Sequence, residues 1–289
     1  MTDSESTRRT EVSVGARYLA AFVTGPEGPA PTLVCESGLG GDHHAWDPVL
    51  AKLGPDVRVI TYDRAGYGES PFASDGRHLW SLAGDLVAVC DALAPTGPLV
   101  LAGHSLGGRI VRAATGQPVA DRVAGIVLVE GATDDFITTT PRVAAAQAWT
   151  LRAMGWAAAS GLMRTQAARR RLAAALRSDP RSPSIDAVVD NVNRPGFFGM
   201  VQREWASMAD PMTPAPQLPA VAILGDDWED WGRLTRMRFG TDAKQLLASV
   251  RDDFCRLYRE GRVVTVSDTT HNIQRDHPEV VVEAVRSFL

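Results

Sequence analysis

Six short apolar runs rich in β-branched residues punctuate the chain: Thr32–Cys35, Val57–Thr61, Leu99–Ala102, Val123–Val129, Val221–Leu224 and Val263–Val266. They are continuously apolar, with no alternation of polar positions, so strands formed there have both faces covered. Most are separated by segments of helical spacing. Leu82, Leu86, Val89 and Leu93 fall on one helical face, and Val281, Val285 and Phe288 on another. The alternation predicts an α/β fold, a mostly parallel central sheet flanked by helices. The Val12–Val23 region supplies an antiparallel pair at one edge of that sheet.

The alternation stops after Glu130 and resumes at Val221. Residues 132–213 therefore read as a helical lid inserted into a core made of residues 1–131 and 214–289. Ala144–Met154, Ala157–Arg164 and Ala167–Leu176 favour helix by their Ala, Leu and Arg content, whereas Ser178–Pro183 and Asp210–Pro216 read as linkers. Five of the seven Trp and five of the seven Met lie between Trp149 and Trp231. Soft and aromatic side chains suit an adaptable apolar pocket, and Trp149 is a candidate substrate contact; the lid's own core is the competing use for them.

With 289 residues, 45% hydrophobic and 22% charged, the chain has the composition of an ordinary globular protein. Its 30 basic and 34 acidic residues give a net charge of −4 and no overall basic excess of the kind that draws nucleic acid or acidic lipid. A small-molecule substrate is the expected partner. The polar start, Met1–Thr10, has no apolar signal region and no run reaches the length of a membrane span, so a cytoplasmic location is expected. Cys35, Cys90 and Cys255 are odd in number and far apart in apolar stretches, which favours reduced, buried thiols over disulfides or zinc ligands. No metal site is expected. Oligomeric state is not legible.

One turn carries chemistry. Gly103-His104-Ser105-Leu106-Gly107 follows the run Pro98–Ala102 and precedes a helix-compatible stretch, so a hydroxyl stands on a glycine-flanked strand-to-helix turn, a nucleophile elbow. So sharp a turn strains the serine backbone and leaves no room for flanking Cβ atoms, and Gly108 adds close approach of helix to strand.

Other segments agree with it in order. Glu36-Ser37-Gly38-Leu39-Gly40-Gly41 follows the third strand, Tyr62-Asp63-Arg64-Ala65-Gly66-Tyr67-Gly68-Glu69-Ser70 follows the fourth, and His271 follows the last strand and precedes a helix starting near Pro278. On these motifs the chain resembles the α/β-hydrolase fold family over nearly its whole length outside the lid. The first segment is similar to the family's His-Gly-x oxyanion loops, with Ser37 in place of the usual His. The second is similar to its Asp-x-x-Gly-x-Gly-x-Ser turn.

The resemblance implies a Ser-His-acid triad that needs no cofactor. A serine hydroxyl needs an imidazole to take its proton, and His271 is the candidate. His43, His44, His78, His104 and His277 read as structural or pocket-lining. Backbone N–H groups of Leu39 and Leu106 map to the oxyanion hole. Gly38, His43 and His104 are candidate substrate contacts. For the acid, the commoner family position after Val221–Leu224 holds Trp228, so Asp227, Asp226 and Glu229 compete with Glu130 at the end of Val123–Val129. Asp63 and Arg64 read as structural, Asp63 bonding nearby backbone amides in a loop that braces the oxyanion segment.

The expected activity is hydrolysis of an ester, lactone or thioester of a small to medium apolar substrate through an acyl-enzyme on Ser105. A serine at the elbow argues against the haloalkane dehalogenase and epoxide hydrolase chemistry that this fold runs from an aspartate. A tailoring enzyme catalysing cyclisation, elimination or C–C cleavage is one alternative. A binding protein that keeps the fold without turnover is the other.

Overall fold

The computed structural model describes residues 7–73, 77–131, 141–177, 181, 183–208, 210–212, 217–225 and 243–289. Eight strands form one sheet: β1 Arg8–Val14, β2 Arg17–Thr24, β3 Thr32–Glu36, β4 Val59–Tyr62, β5 Leu99–His104, β6 Val123–Val129, β7 Ala220–Gly225 and β8 Arg262–Val266. Their order is β1-β2-β4-β3-β5-β6-β7-β8. β2 pairs antiparallel with β1 and β4, and every other pairing is parallel.

The apolar runs are continuous because consecutive residues feed two different cores. Val34, Leu99, Leu101, Ile126, Leu128, Ala222 and Leu224 join one. There they pack with helices α2 (Leu79–Leu93) and α3 (Leu106–Ala114). Leu33, Cys35, Val100, Ala102, Val127, Val129, Val221 and Ile223 face the other. That side is covered by α1 (Asp47–Leu53) and a C-terminal helix, Pro278–Arg286. At about 25 cal/mol per Å² of apolar surface removed from water, this two-sided burial stabilises the sheet more than any other single interaction.

Between β6 and β7 the chain forms α4 (Pro141–Ala159), a 3-10 turn (Leu162–Arg164), α5 (Gln166–Ala175), α6 (Pro183–Val192) and α7 (Phe197–Ser207). The first helix runs unbroken through 154–157, where composition suggested a gap. The break falls instead at Gly161, whose φ of +77° favours glycine. α8 (Ala243–Leu257), α9 (Ile273–Asp276) and α10 (Pro278–Arg286) complete the chain.

Cys35 and Cys90 are buried thiols, but Cys255 is exposed. On α8 the buried stripe is Val250, Phe254 and, just past its end, Tyr258, at four-residue spacing, and Cys255 is turned off it by one position. Among the described residues no helix is long and apolar enough to cross a membrane. Nor does any group of three or more His, Cys, Asp or Glu among them fit a metal ion.

Candidate active site

Ser105 joins β5 to α3 with φ +53° and ψ −118°. A non-glycine residue pays strain for that conformation, and the surroundings over-determine it. Its N–H donates to Val129 O at 2.8 Å, and its carbonyl accepts from Gly108 N at 2.9 Å. A Cβ on Gly107 would lie 2.4 Å from Glu36 O, and one on Gly38 would lie 2.6 Å from His104 Nδ1. The elbow thus meets the end of β3 backbone to backbone at Gly107, and Gly38 lies against the His104 ring, a closeness that only glycine at these positions permits.

Glu130 caps β6, with its own φ at +53°. Its N–H donates to Ile223 O at 2.9 Å, and its Oε1 accepts the N–H of Gly225 at the end of β7. The second oxygen, Oε2, faces His271 Nδ1 at 3.6 Å, ion-pair range but longer than a hydrogen bond. The Glu130 side chain is 12% exposed and that of His271 51%.

Two devices hold the His271 loop. Asp276 Oδ2 accepts from Thr270 N and from Thr270 Oγ1, each at 2.6 Å. His104 Nε2 donates to His271 O at 2.7 Å. Burial drives the His104 imidazole down to about 3, and the neighbouring His271 adds to that. His104 is therefore a buried, neutral brace whose Nε2 is turned to the His271 backbone.

The loop 36–42 is organised by side chains that sequence alone did not bring together. Asp63 behaves as expected, accepting from His43 N at 2.8 Å and Glu69 N at 2.8 Å. Arg64, however, is fully buried and turns away from Asp63. Its Nη1 donates to Glu36 Oε1 at 2.5 Å and Ser37 O at 2.6 Å, and its Nη2 donates to Gly38 O at 2.7 Å. Glu204 of α7, also buried, meets Arg64 and Arg77 at 3.1 and 2.7 Å. Burial pushes the Glu36 carboxyl up to about 7, more than Arg64 and the Tyr62 hydroxyl pull it down.

Of the other candidates, Leu106 opens α3 and is buried, and Leu39 lies in the loop, partly buried. His43 is buried, stacked 3.6 Å from the ring of Phe22 with Nδ1 2.9 Å from Asp63 Oδ1, so its ring is committed to the fold. Trp149 is 68% exposed. On α4 the inward face carries Leu151, packed in the Tyr67–Phe197 cluster, and Gly155, against Phe198; Trp149 projects from the opposite side. Asp226, Asp227 and Glu229 lie outside the described residues.

The model of the alpha/beta hydrolase family matches residues 33–284. The chain belongs to that family. RutD of Variovorax paradoxus, named as a candidate carbamate hydrolase, is 43% identical over 107 residues, 35% of this chain and 39% of its own length. 3-Oxoadipate enol-lactonase 1 of Acinetobacter baylyi is 39% identical over 77 residues, 27% of this chain and 28% of its own. The matched stretches thus span well under half of these relatives. Among solved structures, the Burkholderia xenovorans enol-lactonase superposes with a TM-score of 0.68 at 22% identity, covering 96% of this chain and 99% of that one. That likeness establishes the fold. The names support hydrolase activity at the level of the family.

Proposed function

We propose that this chain is a serine hydrolase that cleaves an ester, lactone or thioester of a small to medium apolar substrate through an acyl-enzyme on Ser105. The observation that carries the reading is the strained elbow at Ser105, bonded to Val129 next to Glu130, with the Glu130 carboxylate facing His271, whose backbone is held by the adjoining His104. In the first step Ser105 Oγ attacks the carbonyl carbon as His271 Nε2 takes its proton; Glu130 faces Nδ1 and stabilises the imidazolium. The carbonyl oxygen gains the negative charge and is held by the N–H groups of Leu39 and Leu106. Collapse expels the alkoxide, phenoxide or thiolate, which receives the proton from His271. A water then repeats the sequence on the acyl-enzyme and releases the acid.

The reading needs no cofactor, and its partner is the substrate itself. An enol-lactonase and a candidate carbamate hydrolase among the relatives are both named for hydrolysis at a carbonyl group, and the first favours including lactones among the substrates tried. The helices between β6 and β7 act as the cap over the carboxyl edge of the sheet, where ligands bind in open α/β folds. Profiling p-nitrophenyl acyl esters, lactones and acyl thioesters, with Ser105→Ala as the blank, tests the reading. Turnover of at least one class that vanishes in the blank supports it; rates equal to the blank across all three reject it.

A further inference from the structure

The loop 36–42 is gripped at both ends by the helices inserted between β6 and β7. At its start, Glu204 of α7 accepts from Tyr67 Oη at 2.9 Å, Arg77 Nη1 at 2.7 Å and Arg64 Nη2 at 3.1 Å. Arg64 in turn holds Ser37 O and Gly38 O. At its end, Asn191 of α6 donates from Nδ2 to Asp42 Oδ2 at 2.5 Å and accepts from Gly68 N at 2.8 Å. Asp42 closes the loop on itself, since its carbonyl accepts from Ser37 Oγ at 2.8 Å. Arg64, Glu204, Asn191 and Asp42 are all buried.

Peptide planarity converts this grip into a direction. In a trans peptide unit the C=O and the next residue's N–H point opposite ways, and no peptide bond among the described residues is cis. Pulling Gly38 O toward Arg64 therefore aims Leu39 N–H the other way, and pulling Ser37 O does the same for Gly38 N–H. Arg64 can keep both carbonyls only while its own place is fixed, and Glu204 supplies one of the two carboxylates that fix it.

We propose that Glu204 and Asn191 are positioning residues for the oxyanion loop, so that the seating of α6 and α7 sets the aim of the Leu39 N–H donor. The inference rests on the hydrolase reading above. It makes the inserted helices part of the catalytic frame as well as a cover, so changes in them alter rate independently of substrate fit.

The test uses Asn191→Ala and Glu204→Gln in the full chain, assayed well below the melting temperature with active sites counted by fluorophosphonate titration. Two quantities are read: kcat against KM on the best ester, and Ki for an alkyl boronic acid, whose tetrahedral Ser105 adduct places an oxygen in the hole. Losing one oxyanion donor costs about 10²–10³ in kcat, so misaiming it is expected to cost about tenfold or more. Boronate Ki should rise in step while KM moves less than about twofold. Tyr67→Phe, which removes one bond to Glu204 and no charge, should give a smaller loss of the same kind. If Glu204→Gln does not fold, the neutral Asn191→Ala decides. Unchanged kcat and Ki per active site in Asn191→Ala, whatever its melting temperature, overturn the proposal. A wild-type protein that neither labels nor binds boronate rejects the hydrolase reading, and this inference with it.

Discussion

Replacing Glu130 by Gln removes a charge with little change of shape. The amide oxygen still accepts the Gly225 N–H that Glu130 Oε1 holds, so the end of β7 keeps its partner. What is lost is the attraction between the carboxylate and the imidazolium formed as Ser105 is deprotonated. At the observed 3.6 Å that attraction is about 5 kcal/mol for an effective dielectric of about 20, and about 1 kcal/mol in bulk water. The imidazole is half exposed and the carboxylate nearly covered, which places the site between these limits, at about 2–3 kcal/mol. At 1.36 kcal/mol per decade, kcat should fall roughly 30- to 200-fold, with KM little changed. Steady-state kinetics on the best ester, normalised to titrated active sites, measures it. Full kcat in Glu130→Gln together with its loss in Asp227→Asn would refute the assignment and move the acid to the loop after β7.

Three further outcomes follow from the same geometry. Gly107→Ala places a methyl 2.4 Å from the backbone oxygen of Glu36, so it should destabilise the protein by about 1–3 kcal/mol or more and lower the melting temperature; an unchanged melting temperature would mean that the elbow and the loop are not in contact. His104, driven down to about 3 by burial, should remain neutral at pH 5 in its imidazole NMR shifts, and a titration near 6.5 would contradict its role as a buried brace. Glu36, pushed up to about 7 from 4.5, binds its proton more tightly folded than unfolded, so its contribution to stability falls as pH rises from about 4.5 to 7. Glu36→Gln should flatten that part of the stability curve relative to wild type, and parallel curves for the two proteins would argue against the shift.

The parts of the molecule legible in sequence are those whose signal is local. Strands β3 and β5–β7 announce themselves because both faces of each are buried, β8 by its β-branched residues although it is a half-exposed edge strand, and the elbow because glycine spacing and strand-helix context coincide. β4 begins at Val59, two residues later than its apolar run, since its pairing with β2 and β3 starts there. The position of Glu130 at the end of a strand was readable, whereas its approach to His271, across 141 positions, is a product of the parallel order β6-β7-β8. The Arg64 cluster was not legible. Its partner Glu204 lies 140 positions away, in a helix whose sequence carries no motif, and a buried glutamate cannot be told from a solvated one by helical spacing alone. The facing of α4 was hidden for a related reason: only the packing of Leu151 and Gly155 reveals which side of the helix turns inward, and Trp149 stands on the other.

The proposed hydrolysis depends on Ser105 being an activated nucleophile. Incubation with a fluorophosphonate, followed by intact-mass measurement and peptide mapping, tests it most directly. A single adduct is expected on the peptide carrying Ser105, absent in Ser105→Ala and slowed in His271→Ala. An unmodified protein, or an adduct on any other residue, would contradict it.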